Sequence, residues 1–254
     1  MDLDLKGKTA LITGGSKGIG RACALALAAE GCDLHLAARG EEALREVREV
    51  IVSRFDVNVT LHPVDLSKGD FARALAAACP DIDILVNNAG AIPRGDLWQV
   101  DEPVWRQAWD LKVFGYINLT RAVYTQMKAR GKGVVINVIG AAGERPHLEY
   151  IAGGAGNAAL MAFTRAMGAR SLGDGIRVVA VNPGLIKTER LEALLRDLAQ
   201  KRFNDADRWQ ELMPTAPPPG EPADIAAVVA FLASDRARFA TGTVVTVDGG
   251  YAAM

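Results

Sequence analysis

The chain has 254 residues, half of them hydrophobic, and a formal net charge of −1. We expect a single α/β domain spanning 1–254, with a large core. The balanced charge argues against nucleic acid and anionic membranes as partners, and no apolar run reaches the ~18 residues of a membrane span. The start of the chain shows no signal-peptide pattern and the three cysteines (Cys23, Cys32 and Cys79) show no C-x-x-C spacing, so we expect small core residues of a cytoplasmic protein.

Strand-like and helix-like segments alternate along the chain. Strands are predicted at 8–13, 32–38, 57–63, 82–86, 134–139, 176–181 and 244–247. Helices are predicted at 21–30, 41–54, 67–78, 102–130, 151–172, 188–212 and 223–234. This alternation predicts right-handed crossovers and a doubly wound parallel sheet of seven strands, with helices on both faces. Ligands should bind at the carboxyl ends of the strands, where the proline-rich stretch 214–222 is predicted to form a stiff loop.

The turn between the first strand and the first helix has the chemistry of a dinucleotide site. Its glycines let the backbone approach a pyrophosphate, and the helix N-terminus supplies free N–H groups and a partial positive charge. The spacing is G-x-x-x-G-x-G rather than G-x-G-x-x-G. A plain strand-to-helix turn is the alternative. The residues expected to contact the nucleotide here are Gly14, Ser16, Lys17, Gly18, Ile19 and Gly20.

Further motifs follow in an order that resembles the short-chain dehydrogenase/reductase family over essentially the whole chain. They are Asp65, Asn87-Asn88-Ala89-Gly90, Asn182-Pro183-Gly184 with Thr188, and Val247-Asp248-Gly249-Gly250. The resemblance implies a Rossmann-type fold, a nicotinamide cofactor and a small-molecule substrate. It places Asp65, Asn87, Ala89 and Gly90 along the cofactor, and Pro183, Gly184 and Thr188 beside the nicotinamide. It also implies a homodimer or homotetramer that pairs through the helices 102–130 and 151–172 and through the C-terminal strand near 249–254. Small residues on the second helix would allow close packing or would simply face the core: Ala158, Ala159, Ala162 and Ala166.

Charge at the end of the second strand favours the phosphorylated cofactor. An acidic residue there would bind a ribose 2′-hydroxyl and repel a 2′-phosphate. Here the strand ends at Arg39, and Lys17 stands in the glycine turn. Two cations without an acid favour NADP over NAD, because Arg grips phosphate through a fork of donors.

The catalytic segment departs from the pattern that the resemblance implies. Family members use a Tyr as acid–base, a Lys four residues later, a Ser thirteen residues earlier and an Asn on the preceding helix. The flanking segments place Gly153, Asn157, Gly140 and Lys112 at these positions, respectively. By this comparison the standard tetrad is replaced.

Two residues are candidate substitutes for the missing acid–base. Lys112 would lose solvation at an apolar site, which lowers its pKa and lets it act as base or donor. Tyr150 precedes the Tyr position by three residues, but a helical side chain there would lean toward the N-terminus and away from the site. The loop residues Glu144, Arg145 and His147 are further candidates for orienting a substrate. The glycines of 153–156 cost about 1 kcal/mol each in a helix, which suggests that a ligand or backbone approaches them.

Three functions stay open on this reading. The first is an NADP(H)-dependent oxidoreductase acting on a carbonyl or alcohol through a non-standard site, with Lys112, and Tyr150 or His147, handling the proton. Loss of a general acid costs about 10²–10⁴-fold, while proximity can still contribute roughly 7–11 kcal/mol. The second is an inactive nucleotide-binding sensor or partner protein. The third is a non-redox enzyme that uses Lys112 as a base or Schiff-base amine.

Overall fold

The computed structural model describes residues 2–68 and 70–253. Within these residues seven strands form one sheet, in which every neighbouring pair is parallel. They are β1 (Thr9–Thr13), β2 (Asp33–Ala38), β3 (Val59–Pro63), β4 (Ile84–Asn87), β5 (Gly133–Val138), β6 (Ile176–Pro183) and β7 (Val244–Val247). The strand order β3-β2-β1-β4-β5-β6-β7 reverses between β1 and β4. The predicted doubly wound sheet is confirmed.

Helices cover both faces of this sheet. They are α1 (Gly18–Ala29), α2 (Glu41–Val52), α3 (Phe71–Ala78), α4 (Glu102–Trp109), α5 (Gly115–Arg130), α6 (Ile151–Ser171), α7 (Glu189–Phe203) and α8 (Pro222–Ala233). Among the described helices, none combines the length and the apolar character needed to cross a membrane.

Successive side chains of a strand point to opposite faces of the sheet, and each face has its own hydrophobic cluster. Ile12 of β1 packs in a cluster with Leu27 of α1 and Val229 of α8. Leu11, its neighbour, packs on the opposite face with Leu75 of α3 and Leu119 of α5. Because both faces are covered, the central strands are apolar throughout, which is why they read as continuous hydrophobic runs.

Three predicted helices differ from those observed. The helix expected over 102–130 contains one π-helical turn, Asp110–Phe114. The helix expected over 188–212 ends at Phe203, because Asn204 adopts a left-handed conformation (φ 54°) and a 3₁₀ segment, Ala206–Leu212, follows. The helix expected over 67–78 begins at Phe71, and Gly69 lies outside the described residues. Periodicity alone carries no signal for a π turn or a left-handed break.

Candidate functional site

The glycine turn lies at the point where the strand order reverses, as expected for a nucleotide site. The Thr13 hydroxyl ties the two strand ends together here. Its oxygen accepts from the backbone N–H groups of Asn88 (2.9 Å) and Ala89 (3.1 Å), and it donates to Val86 O (3.4 Å). The Asn88 amide donates in turn to the carbonyls of Thr13 (3.0 Å) and Gly14 (3.3 Å). The turn is therefore fixed by contacts within the chain.

Glycine is required in this turn for two separate reasons. Gly14 has φ 65°, in the left-handed region where a side chain is strained. A Cβ at Gly20 would lie 2.1 Å from Gly14 O, so the helix start and the turn are in direct backbone contact. Lys17 is the N-cap of α1, and because its ammonium group has no acceptor, the side chain caps no backbone N–H in the first turn. This is a cradle that a Cβ would fill, with donors suited to a pyrophosphate.

The other predicted cofactor residues lie at the same edge of the sheet. Asn87 is buried and donates to Thr120 Oγ1 (3.0 Å) and Asn137 Oδ1 (2.9 Å), which joins β4 to α5 and β5. Thr188 caps α7 and places its methyl carbon 3.2 Å from the Cβ position of Gly18. Pro183 pairs with Val247 at the end of β6.

Acidic side chains lie near Lys17 and Arg39, the two cations expected at the ends of β1 and β2. Lys17 Nζ forms an exposed ion pair with Glu189 Oε2 (2.8 Å), which raises the pKa of Lys17. Asp65 accepts from the Ser67 hydroxyl (2.7 Å) and backbone N–H (3.0 Å), and these bonds, with smaller contributions from Lys68 and then Arg39, lower the pKa of the Asp65 carboxyl. The end of β2 itself has no acid, as expected, but acidic side chains from α7 and from the segment after β3 interact with the two cations.

Lys112 projects from the π turn into the protein. Its side chain is only 8% exposed. The amine donates to Ile139 O (2.5 Å), directly after β5, and to Asn157 Oδ1 (2.9 Å), on α6. A Cβ at Gly90 would lie 2.8 Å from Lys112 Cδ, so this glycine leaves room for the lysine stem. A π turn shifts the register of the residues after it and is frequent at functional sites.

Burial sets the protonation of this amine. Desolvation, with a smaller contribution from the nearby Arg190 guanidinium, lowers the pKa of Lys112 to about 7. A neutral amine has two N–H donors, and both acceptors described above can be satisfied by them. Its lone pair then remains to exchange a proton. This direction agrees with the expectation from the sequence, and a catalytic role for Lys112 stays a prediction.

Gly140 and Asn157 complete the cluster around Lys112. A Cβ at Gly140 would lie 2.9 Å from Asn157 Nδ2, and Gly140 itself has φ 140°. The backbone N–H of Gly140 donates to Asn182 Oδ1 (3.4 Å), and the Asn182 amide donates to Glu144 Oε1 (2.8 Å). The structure thus brings residues 112, 140 and 157 together, with Glu144 connected through Asn182.

Tyr150 lies over Gly153. A Cβ at Gly153 would lie 2.0 Å from Tyr150 Cζ, so the aromatic ring turns toward this position rather than away from it. The expected lean does not apply, because Tyr150 is the N-cap of α6 and has non-helical backbone angles. Other glycines of the run are approached by protein as well: Gly154 by Pro146 and Gly156 by Val113 and Trp109. The run accommodates these side chains.

The contact between Tyr150 and Gly153 predicts that one substitution has opposite effects on stability in two backgrounds. Gly153→Ala should destabilise the wild-type protein by about 1–3 kcal/mol, because the new methyl group collides with the Tyr150 ring. In a Tyr150→Ala background the same substitution should stabilise by up to about 1 kcal/mol through helix propensity. Urea unfolding of the four proteins of this cycle measures both values. Equal effects in the two backgrounds would contradict the contact.

Arg190 is a site residue that the sequence did not single out. From the first turn of α7 its guanidinium donates to Gly90 O (3.0 Å) and Ile92 O (2.7 Å), and Gly90 is the residue that lies against the Lys112 stem. Of the loop candidates, Arg145 donates to Tyr251 O (3.1 Å), and His147 accepts the Tyr150 backbone N–H through its carbonyl (3.1 Å). No sequence motif marks Arg190, because its acceptors are backbone carbonyls distant in sequence.

Comparison with known proteins gives consistent results. A family model described as "Enoyl-(Acyl carrier protein) reductase" matches residues 14–252. Galactitol 2-dehydrogenase (L-tagatose-forming) from Cereibacter sphaeroides is 34% identical over 97% of this chain and 96% of its own length. A 3-oxoacyl-(acyl-carrier-protein) reductase from Staphylococcus epidermidis is 33% identical over 96% of this chain and 98% of its own. The crystal structure of L-sorbose reductase from Gluconobacter frateurii, complexed with NADPH and L-sorbose, has a TM-score of 0.93 and 30% identity, covering 100% of both chains.

Proposed function

Because the chain belongs to the short-chain dehydrogenase/reductase family, we propose that it is an NADP(H)-dependent oxidoreductase with a non-standard catalytic site. Its substrate is a small carbonyl or alcohol compound, and Lys112 exchanges the proton. The observation that carries this proposal is the buried Lys112 amine with a pKa of about 7, held by Ile139 and Asn157.

The chain's own residues fit the cofactor. The turn from Gly14 to Gly20 offers a glycine cradle and free backbone donors for the pyrophosphate. Arg39 follows β2, at the position where a 2′-phosphate is bound or rejected. The L-sorbose reductase that matches over its full length was solved with NADPH, which supports the same choice here. Further cofactor contacts proposed on the family pattern are Ser16, Lys17, Ile19, Asp65, Asn87, Ala89, Gly90, Pro183, Gly184 and Thr188.

The choice of NADP can be tested at Arg39. Arg39→Asp should weaken NADP⁺ binding at least tenfold, because the new carboxylate repels a 2′-phosphate, and should leave NAD⁺ binding equal or tighter. The measurement is calorimetric titration with both nucleotides. Arg48→Asp, an exposed residue of α2, is the matched control for charge. An equal loss of affinity for NADP⁺ and NAD⁺ would contradict this role of Arg39.

Catalysis requires proton exchange at the oxygen of the substrate. A bound NADP(H) supplies or accepts the hydride at its nicotinamide ring. For reduction, the Lys112 ammonium donates a proton from Nζ to the developing alkoxide. For oxidation, the neutral amine accepts the hydroxyl proton. A pKa near 7 suits both directions at neutral pH, and two fixed acceptors hold Nζ in one place.

The amine and amide of the family pattern are exchanged between two positions in this interpretation. The family pattern leads us to expect Asn at position 112 and Lys at position 157, and this chain has Lys112 and Asn157. Lys112 Nζ lies 2.9 Å from Asn157 Oδ1. The amine that the family pattern has on α6 is therefore supplied here from the π turn that faces it. Tyr150, whose ring covers Gly153, is a second candidate for contact with the substrate.

Turnover tests the proposal directly. NADPH oxidation should be measured with a carbonyl panel that includes L-sorbose and L-tagatose, which the names of two relatives contain. Activity on at least one compound is expected, beside a thermal shift with NADP⁺. At 100 times its dissociation constant a ligand adds about 2.7 kcal/mol of stability, which raises the melting temperature by roughly 5–10 °C. No shift with either NADP⁺ or NAD⁺ would refute cofactor binding.

A protein that binds nucleotide without catalysis is the second candidate. The Tyr150 ring fills the space beside Gly153, the position at which the family pattern has its acid–base, and this favours the alternative. It predicts NADPH binding without turnover on any carbonyl. Borohydride trapping of a carbonyl compound on Lys112 would instead indicate Schiff-base chemistry.

We also propose that the protein forms a homodimer or homotetramer through α5 and α6. Small residues on α6 support close approach, since Ala159, Ala162 and Ala166 are exposed and Ala158 is half-buried. Analytical ultracentrifugation measures the assembled mass.

A further inference from the structure

Three side chains that can bind a metal lie together at a distance from Lys112 in the fold. His35 is on β2, His62 is on the edge strand β3, and Cys79 directly follows α3. Ala37 pairs with His62 across the two strands, and residues 35 and 37 share a face, so both imidazoles lie on the side of the sheet that α3 covers. Three elements therefore deliver one side chain each to the same place.

The three donor atoms converge on one point. His35 Nδ1 lies 2.8 Å from His62 Nε2, and Cys79 Sγ lies 3.3 Å from the former and 3.4 Å from the latter. Tetrahedral Zn²⁺ with Zn–N near 2.0–2.1 Å and Zn–S near 2.3 Å places its N and S ligands about 3.4 to 3.6 Å apart. Both sulfur–nitrogen distances are within about 0.3 Å of this geometry, and the two nitrogens need to separate by about half an ångström.

We propose that His35, His62 and Cys79 form a zinc site, with a fourth coordination position open to water. The two histidines are partly exposed to solvent, while the cysteine is fully buried. Two imidazoles and one thiolate are borderline-to-soft ligands that select Zn²⁺ over Mg²⁺ or Ca²⁺. Three protein ligands with an open fourth position are the coordination that zinc adopts where it binds exogenous molecules.

Zinc binding requires particular protonation states of the three ligands. Nδ1 of His35 and Nε2 of His62 must both be unprotonated, so the cation replaces the hydrogen bond between these two nitrogens, and each neutral ring carries its proton on the other nitrogen. The third ligand is the thiolate form of Cys79. Zinc binding therefore releases the thiol proton to solvent as the Zn–S bond forms, because a coordinating thiol is deprotonated by the cation.

This site is separate from the proposed catalytic function. It joins the edge strand β3 and its neighbour β2 to the end of α3, so the cation would stabilise this edge of the sheet. These strands lead to Arg39 and Asp65, but no cofactor contact is needed for the metal to bind. Its test consequently does not depend on turnover.

Cobalt is the spectroscopic probe for this test. Metal-stripped full-length protein titrated with Co²⁺ should show one equivalent bound, visible bands of tetrahedral Co²⁺ and a near-ultraviolet sulfur-to-cobalt charge-transfer band. Zn²⁺ should displace the cobalt and raise the melting temperature. Cys79→Ser and His62→Ala should each weaken binding more than tenfold. Cys79→Ser should abolish the charge-transfer band, and His62→Ala should abolish the tetrahedral bands.

Matched controls use the same residue types elsewhere in the chain. Cys32→Ser removes another buried thiol, and His147→Ala removes the third histidine of the sequence; both should bind Co²⁺ as the wild type does. The wild-type spectrum is decisive even if a variant fails to fold. Absence of binding in molar excess of metal, or a cobalt spectrum without the thiolate band, would mean that the three side chains form only a hydrogen-bonded group.

Discussion

Lys112→Met should reduce NADPH-dependent carbonyl reduction by about 10²–10⁴-fold, the usual contribution of a general acid. Methionine retains an unbranched apolar stem against Gly90 but removes the amine that contacts Ile139 and Asn157. The nucleotide turn is built from other residues, so NADP⁺ should shift the melting temperature of this variant as it does that of the wild type. A loss confined to kcat would separate proton exchange from cofactor binding.

The pH profile adds a second readout for the same variant. Reduction needs the ammonium form, so wild-type kcat should fall as pH rises through about 7, the pKa of Lys112. Residual activity of Lys112→Met should lack this step. Lys128→Met on α5 is the matched control, because its exposed amine pairs with Asp174 on the surface. Turnover of Lys112→Met within threefold of the wild type would exclude Lys112 as the acid–base.

The fold could be predicted because its signals are local. Buried parallel strands appear as continuous apolar runs. The glycines at 14, 18 and 20 mark where the first strand ends and the first helix begins. The π turn at Asp110–Phe114 and the break at Asn204 could not be predicted, because neither interrupts the hydrophobic pattern. Such features are decided by packing rather than by propensity.

The candidate site was predicted in part. Spacing from the flanking motifs indicates that residues 112, 140 and 157 share a site, and they do lie together. The position of Tyr150 was missed because it depends on one non-helical residue at an N-cap. The group of His35, His62 and Cys79 has no recognisable spacing, since its members come from three elements that only the sheet brings together.

The stability of the folded protein should also rise with pH because of Lys112. The pKa of Lys112 is about 7 in the folded protein, against 10.5 for a lysine in the unfolded chain. Between these values the unfolded chain holds a proton that the folded chain has released, so raising the pH favours the folded state. Below pH 7 both states are protonated, and the folded protein bears the full cost of burying an ammonium.

The expected size of this effect is large for a single side chain. Each pH unit within the window changes the free energy of unfolding by about 1.4 kcal/mol, and the whole interval amounts to on the order of 5 kcal/mol. Lys112→Met lacks the ionisable group, so it should be more stable than the wild type at pH 7, and the difference should shrink as pH rises.

Comparing the two proteins isolates Lys112 from other groups that titrate. Burial raises the pKa of Cys23, Cys32 and Cys79 to about 12, so these thiols lower the stability of the folded state above pH 9. They are common to both proteins and cancel in the difference. Urea unfolding from pH 7 to pH 9 should therefore give wild-type and variant curves that converge by about 2–3 kcal/mol. Parallel curves would mean that the Lys112 amine keeps an ordinary pKa, which would remove the physical basis for its proposed role in proton exchange.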